Sequence, residues 1–176
     1  MTLHRRQALS GALGLVGAGM FGGLARASAP AKALSLLNLH TGETLKATFF
    51  ENGAYVPDAL EALNHLLRDF RTGDVHPIAP GLLSLVSTLR DKVETNATVQ
   101  VISGYRSPQT NASLHARSEG VATHSLHMQG MAMDIRVPGV QLAHLRDAAL
   151  SMQGGGVGYY PASDFVHVDV GRVRHW

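Results

Sequence analysis

Gly156-Val157-Gly158-Tyr159-Tyr160-Pro161-Ala162-Ser163-Asp164-Phe165-Val166-His167-Val168-Asp169-Val170 is the stretch that settles the fold class. Its two ends are rich in β-branched and aromatic residues, and Pro-Ala-Ser-Asp between them is turn chemistry, so the stretch reads as a strand pair. Upstream, Val140 to Met152 places Leu142, Leu145, Ala149 and Met152 at helical spacing. Before that helix, Ala132-Met133-Asp134-Ile135-Arg136-Val137 reads as another strand, ended by Pro138-Gly139. A strand, a short helix and a strand pair in close succession leave little room for anything but one sheet with a helix against it.

Working further outward, Leu34–Leu39 and Leu45–Phe50 flank His40-Thr41-Gly42-Glu43, a hairpin signal. Pro57 and Asp58 open a helix with Leu60, Leu63, Leu66, Leu67 and Phe70 inward, closed by Gly73. Pro80 opens a second, with Leu82, Leu83, Leu85, Val86, Leu89 and Val93 on its buried side. Val99–Ser103 is a strand running into the turn-rich Gly104-Tyr105-Arg106-Ser107-Pro108. Residues 107–126 are polar and are expected to form a long irregular connection of the kind that carries function. Helices first and strands clustered late predict an α+β fold, an antiparallel sheet with flanking helices.

The chain has 176 residues, 45% of them apolar and 16% charged, a globular composition. Its formal net charge is +2 and its sequence pI is about 9.2. The charge is unevenly placed. Residues 1–29 hold Arg5, Arg6 and Arg26 and no acid, so residues 30–176 carry 12 bases against 13 acids, a net of −1. With no basic run in that part, a nucleic-acid partner or an anionic surface is not expected.

Arg5-Arg6, the apolar glycine-rich run from Ala8 to Leu24 and the small-residue ending Ala25-Arg26-Ala27-Ser28-Ala29 are the three parts of an export signal. The paired arginines with Leu9 after them resemble the twin-arginine type. The apolar run is short of the ~20 residues that a membrane anchor needs. Residues 1–29 are therefore read as a signal cleaved near Ala27 or Ala29, and residues 30–176 as a single domain with a periplasmic address and no lasting membrane anchor.

The chain has ten histidines and no cysteine, so any metal here is held by His and carboxylates. Two places stand out. In Ser125-Leu126-His127-Met128-Gln129-Gly130-Met131-Ala132-Met133-Asp134 a His precedes an Asp set inside an apolar strand, and in Phe165-Val166-His167-Val168-Asp169 a His and an Asp alternate along another. A carboxylate between Met133 and Ile135 needs a cationic partner, since burying an unpaired charge is costly. Two histidines and a carboxylate with one open position is a catalytic zinc arrangement, and His127, Asp134 and His167 fit that count. Taken singly, each has an ordinary alternative: a hydrogen-bonded core His, or an Asp paired with Arg or Lys. His115 and His124 sit in the polar connection and read as exposed or facing a substrate.

Ser125-x-His127-x-x-Gly130-x-Ala132-x-Asp134 followed by Phe165-Val166-His167 resembles the zinc peptidases of the M15 group, which includes D-Ala-D-Ala dipeptidases and carboxypeptidases. The resemblance is closer to the branch once described only as DUF882, whose characterised member is a murein endopeptidase. It extends over Asn38–Glu43, Ser103–Pro108, Gly120-Val121-Ala122, Gly155–Tyr160 and Val173-Arg174-His175-Trp176.

The resemblance implies a Hedgehog/DD-peptidase-like fold, one Zn2+ per chain on His127, Asp134 and His167, and hydrolysis of amides in peptidoglycan cross-bridges. The diaminopimelate–diaminopimelate link is the expected bond. D-Ala release by the same fold, or peptidoglycan binding without catalysis, are the alternatives. The resemblance also implies a substrate contact for Arg106, whose alternative is a salt bridge to Asp134 or Asp169. Ser125 either bonds substrate or caps the turn before His127. The resemblance implies Asp164, three residues before His167, as the general base; Asp169 competes, because it shares a strand face with His167, and could instead orient a ligand imidazole.

Overall fold

A computed structural model describes residues 29–117 and 122–176. The expected export signal, apart from Ala29, and Gly120-Val121 of the family pattern lie outside the described residues. Eight strands, β1 (Lys32–Asn38), β2 (Thr44–Glu51), β3 (Ala54–Tyr55), β4 (Val99–Ser103), β5 (Ala132–Arg136), β6 (Gly156–Tyr160), β7 (Phe165–Asp169) and β8 (Arg174–His175), form one sheet in the order β3-β2-β1-β4-β5-β7-β6-β8. The helices are α1 (Pro57–Leu66), α2 (Pro80–Lys92), α3 (Pro108–His115) and α4 (Leu142–Met152).

The α+β expectation holds, with one correction to the sheet. β1 pairs with β4, and β6 with β8, in parallel, so the sheet is mixed rather than wholly antiparallel. Parallel neighbours need a long crossover. Between β2 and β4 the chain makes one through α1 and α2, which returns it beside β1 in β1's own direction.

A second correction concerns residues 107–126. The expected irregular connection contains α3, capped by Ser107 Oγ, which accepts the Thr110 N–H at 3.2 Å, with Pro108 in the first turn. Its buried side chains are Thr110 and Asn111. A helix without an apolar stripe gives no helical period to read, and only the Ser-Pro start signal marks it.

Alternation along the central strands sorts their two faces. Met133 and Ile135 of β5 and Val166 and Val168 of β7 join the core with Leu34, Leu36, Val99 and Val101, against Leu63, Leu67, Leu82, Leu83, Val86 and Leu145 of the helices and their flanks. Successive side chains of a strand point to opposite faces. The same packing that buries those apolar residues therefore sets Asp134, His167 and Asp169 together on the other face.

Candidate metal centre

Register places the carboxylate and one imidazole side by side: Asp134 of β5 pairs with His167 of β7, and Asp134 also faces Ser103 of β4. His127 arrives from a different element, a 3-10 turn at Leu126–Gln129 that hangs over this face. Ser125 Oγ caps the turn by accepting the His127 N–H at 3.3 Å. Gly130 ends it in the left-handed region with φ 65°, and a Cβ there would collide with the Pro77 carbonyl, which explains a glycine at that place in the pattern. The turn is laced to the loop after β4, since the Arg106 N–H donates to His127 O at 3.2 Å.

Three ligating atoms converge. His127 Nε2 lies 3.2 Å from His167 Nδ1 and 3.3 Å from Asp134 Oδ1, and His167 Nδ1 lies 2.9 Å from Asp134 Oδ1. The outer nitrogens are already committed. His127 Nδ1 is 2.7 Å from Gly104 O, a carbonyl that only accepts, and His167 Nε2 is 3.1 Å from Asp169 Oδ2. With both outer nitrogens donating, each neutral imidazole turns a lone pair towards Asp134. Three buried acceptors aimed at one another repel unless a cation or a proton lies between them. His127, Asp134 and His167 are thus a group that could hold a metal ion, and the residues present fit one.

The electrostatics agree. Burial pushes the Asp134 carboxyl up, but His127 and His167 beside it outweigh that and hold it well below the usual carboxylate range. Burial pushes the His167 imidazole down, and the carboxylates of Asp134 and Asp169 more than reverse this, so it binds a proton more tightly than a free histidine. A proton therefore competes with a metal for the same lone pairs.

Asp169 is wholly buried, and its oxygens are fully engaged. Oδ1 accepts from the Gly156 and Gly171 N–H groups at 3.0 and 2.8 Å, and Arg174 forks onto Oδ1 and Oδ2 at 3.1 and 2.7 Å. With His167 as well, the carboxylate has no lone pair left for a reacting proton. Its arrangement is that of an orienting group for His167.

Asp164 sits elsewhere. It closes a short 3-10 turn at Pro161–Ser163 in the left-handed region with φ 52°, and its side chain is exposed and paired with Arg136 at 2.7 Å. The structure does not bring it to the trio. Its neighbours Ser163 and Phe165 line the cleft above the centre, together with Arg106, His124, Ser125, Tyr160, Arg174 and Trp176; the cleft holds about 440 Å3.

Arg106 stands on the β4 side of the trio, 3.6 Å from Asp134 Oδ2, so the salt bridge weighed as its alternative is present but long. Its bonds to Asn111 Oδ1 and Ser103 Oγ, at 3.5 and 3.4 Å, are also long, and its buried Nε has no acceptor among the described residues. Donors are left over for a carbonyl or carboxylate entering the cleft.

Sequence reasoning missed Asp69, which fixes the turn that carries Arg106. Asp69 Oδ2 accepts the Ser107 N–H at 2.9 Å and the Ser107 hydroxyl at 2.7 Å. Burial pushes its carboxyl up, but bonds from Thr110, Ser107 and Arg71 overcome this and lower it from 3.8 to about 2. Because the folded value lies below the ordinary one, the carboxylate's contribution is complete above about pH 3.8 and is lost as the pH falls towards 2. We expect Asp69→Asn to cost about 2 kcal/mol in urea unfolding at neutral pH. The gap from wild type should close in the same acid range, and an unchanged gap down to pH 2 would contradict this role for Asp69.

A mixed sheet carrying on one face a buried His-Asp-His group that could hold a metal ion, with an arginine beside it, is consistent with the M15 class of peptidases. Comparison with known proteins places the chain within that class. The family model described as peptidoglycan L,D-endopeptidase MepK matches residues 26–176, and the chain belongs to that family. The peptidoglycan L,D-endopeptidase MepK of Escherichia coli is 50% identical over 145 residues, 82% of this chain and 80% of that protein. The probable peptidoglycan L,D-endopeptidase MepK of Haemophilus influenzae is 42% identical over 155 residues, 87% of this chain and 83% of that one. No solved structure matches the chain. The family identifies a peptidoglycan endopeptidase, a hydrolase of the cell wall. Among the described residues no helix is long and apolar enough to cross a membrane.

Proposed function

We propose that the chain is a zinc-dependent murein endopeptidase acting on peptide cross-bridges, an L,D-endopeptidase for diaminopimelate–diaminopimelate links. It is made with a twin-arginine-type export signal at residues 1–29, and residues 30–176 work in the periplasm as one domain of the Hedgehog/DD-peptidase-like type. The observation that carries the reading is the triangle of lone pairs on His127 Nε2, His167 Nδ1 and Asp134 Oδ1, with sides of 2.9–3.3 Å. Ligands at the usual zinc distances of about 2.0–2.1 Å in a tetrahedron stand roughly 3.3 Å apart, close to these separations. Imidazole and a single carboxylate oxygen suit zinc better than calcium or magnesium.

Zinc bound there supplies Lewis acidity and lowers the pKa of its water towards about 7. The chain's residues do the rest. Gly104 O and Asp169 hold the two imidazoles in the tautomers that face inward. Arg106 presents its spare N–H donors to the carbonyl oxygen as charge develops on it, or to the carboxylate beside the scissile nitrogen. Ser125 caps the His127 turn and lines the cleft, where its hydroxyl can also meet the substrate backbone.

Asp164 is the base in this reading, because Asp169 has no free lone pair. Its bond to Arg136 is exposed, and such a pair is worth only ~0–1 kcal/mol, so a bound substrate can draw the carboxylate inward. There it takes the proton of the attacking water and returns it to the leaving amine.

Asp164→Asn keeps the shape and the left-handed backbone, so it tests the proton role alone. We expect kcat on a cross-linked muropeptide to fall about 10²- to 10⁴-fold with bound zinc unchanged. Retention of wild-type kcat would remove Asp164 from the mechanism. The zinc reading itself is tested by chelation followed by readdition: activity returns with one equivalent of zinc per chain, and full activity in the chelated protein contradicts it.

A further inference from the structure

The cross-strand row that carries the centre continues past His167. The next partner in register is Gly158 of β6, and a Cβ placed there would lie 2.7 Å from Cε2 and 2.8 Å from Cζ2 of the Trp176 indole. The indole, with Tyr160 Cε2 at 2.8 Å, fills the room that a side chain at 158 would need. Pairing holds it in place, since the Tyr159 N–H donates to Trp176 O at 3.1 Å and the Trp176 N–H to Val157 O at 3.3 Å. Its Nε1–H donates to the Tyr160 hydroxyl at 2.7 Å, Tyr160 stacks on Phe165 at 4.6 Å, and the indole stands 5.2 Å from the His167 ring.

Despite these contacts Trp176 is 49% exposed, and it lines the cleft with Tyr160 and Phe165. With Nε1 committed, the indole offers the cleft only its apolar ring. The strand order sets this wall and Arg106 on opposite sides of the trio: Arg106 follows β4, Asp134 and His167 lie on β5 and β7, and Trp176 follows β8 beyond β6. The cleft meets Arg106 on one side and, on the other, the Trp176 ring, with the Arg174 guanidinium 4.9 Å from the ring centroid.

We propose that Trp176 is a specificity-determining residue that covers the aliphatic arm of the acyl-side residue at the cleaved bond. This rests on the endopeptidase reading above. In both kinds of murein link the residue on the amine side carries a carboxylate next to the scissile nitrogen, which suits Arg106 and distinguishes nothing. The acyl side differs. It is a diaminopimelate with a chain of methylenes in one link and a D-alanine with a single methyl in the other. A wall that covers methylenes favours the longer arm, and each methylene in a hydrophobic pocket is worth about tenfold or more.

The test measures kcat and KM of the zinc-loaded protein on two purified muropeptide dimers, one joined through each kind of link. Trp176→Ala is expected to raise KM for the diaminopimelate–diaminopimelate dimer at least about tenfold, with kcat and bound zinc unchanged, and to leave the D-alanine-linked dimer as it was. Trp176→Phe should restore most of the difference. Gly158→Ala, whose Cβ would meet both the indole and the Tyr160 ring, should shift this aromatic wall and reproduce the split with residue 176 still Trp. Equal losses on both dimers, or loss of zinc from Trp176→Ala, would make the indole a cover for His167 and overturn the assignment. A wild type that cleaves neither dimer brings down the endopeptidase reading and this proposal with it.

Discussion

Asp134→Asn is expected to empty the centre and lower kcat/KM on cross-linked muropeptides by at least about a thousandfold. Loss of a partner outside the ligands already costs roughly 10–100-fold in metal affinity or activity, and Asp134 is the one anion among the three converging atoms. An amide in its place keeps the volume and removes the charge that holds His127, His167 and Arg106 around it. The fold should survive, because the apolar residues on the far face of β5 are untouched. Metal per chain after desalting, far-UV circular dichroism and muropeptide hydrolysis measured on one preparation separate these effects. Retained metal and activity in a folded Asp134→Asn would remove this carboxylate from the site.

Arg174→Ala is expected to act through Asp169. That carboxylate is wholly buried, and among the described residues the guanidinium is its only full cation; His167 and two backbone N–H groups supply its other bonds. Removing one partner of a buried pair costs about 3–5 kcal/mol, and the partial exposure of Arg174 places this case near the lower end, about 3 kcal/mol. Burial pushes the Asp169 carboxyl up, but its bonds from His167 and Arg174 hold it well below its ordinary value. Its contribution is therefore present above about pH 3.8 and lost as the medium is acidified. Zinc affinity should fall roughly 10–100-fold, because His167 loses the acceptor geometry that fixes its tautomer. Arg174→Lys should rescue only part of this, as one ammonium cannot fork across two oxygens. Chelator competition reads the affinity and urea unfolding the stability. An affinity unchanged in Arg174→Ala would separate Asp169 from the centre.

Much of the centre was legible because its chemistry conflicts with its surroundings. Asp134 between Met133 and Ile135 announces a charge in a core strand, and strand alternation puts His167 and Asp169 on one face. That His127 would reach the same point from a turn is not a matter of periodicity; the ligand count and the family pattern linked it to the strands. Asp69 left no signal at all. It lies beyond the end of α1 and acts on Ser107, a contact made by the fold between residues far apart in sequence. The parallel pairing of β1 with β4 was hidden for a similar reason: a hairpin advertises itself in the turn, whereas a crossover through two helices leaves the order of strands unwritten. The helix α3 was hidden by its own polarity. For Asp164 the signal was the family pattern and the turn at Pro161-Ala162-Ser163; the turn is present, and the side chain it carries bonds Arg136.

The most direct test of the central claim is product analysis of purified cross-linked muropeptides incubated with the zinc-loaded protein, wild type beside His127→Ala. Conversion of diaminopimelate-linked dimers to monomers by wild type alone is the predicted result. Unchanged dimers with release of free alanine would contradict it in favour of a carboxypeptidase, and bound zinc without turnover of any muropeptide would contradict it in favour of a binding module.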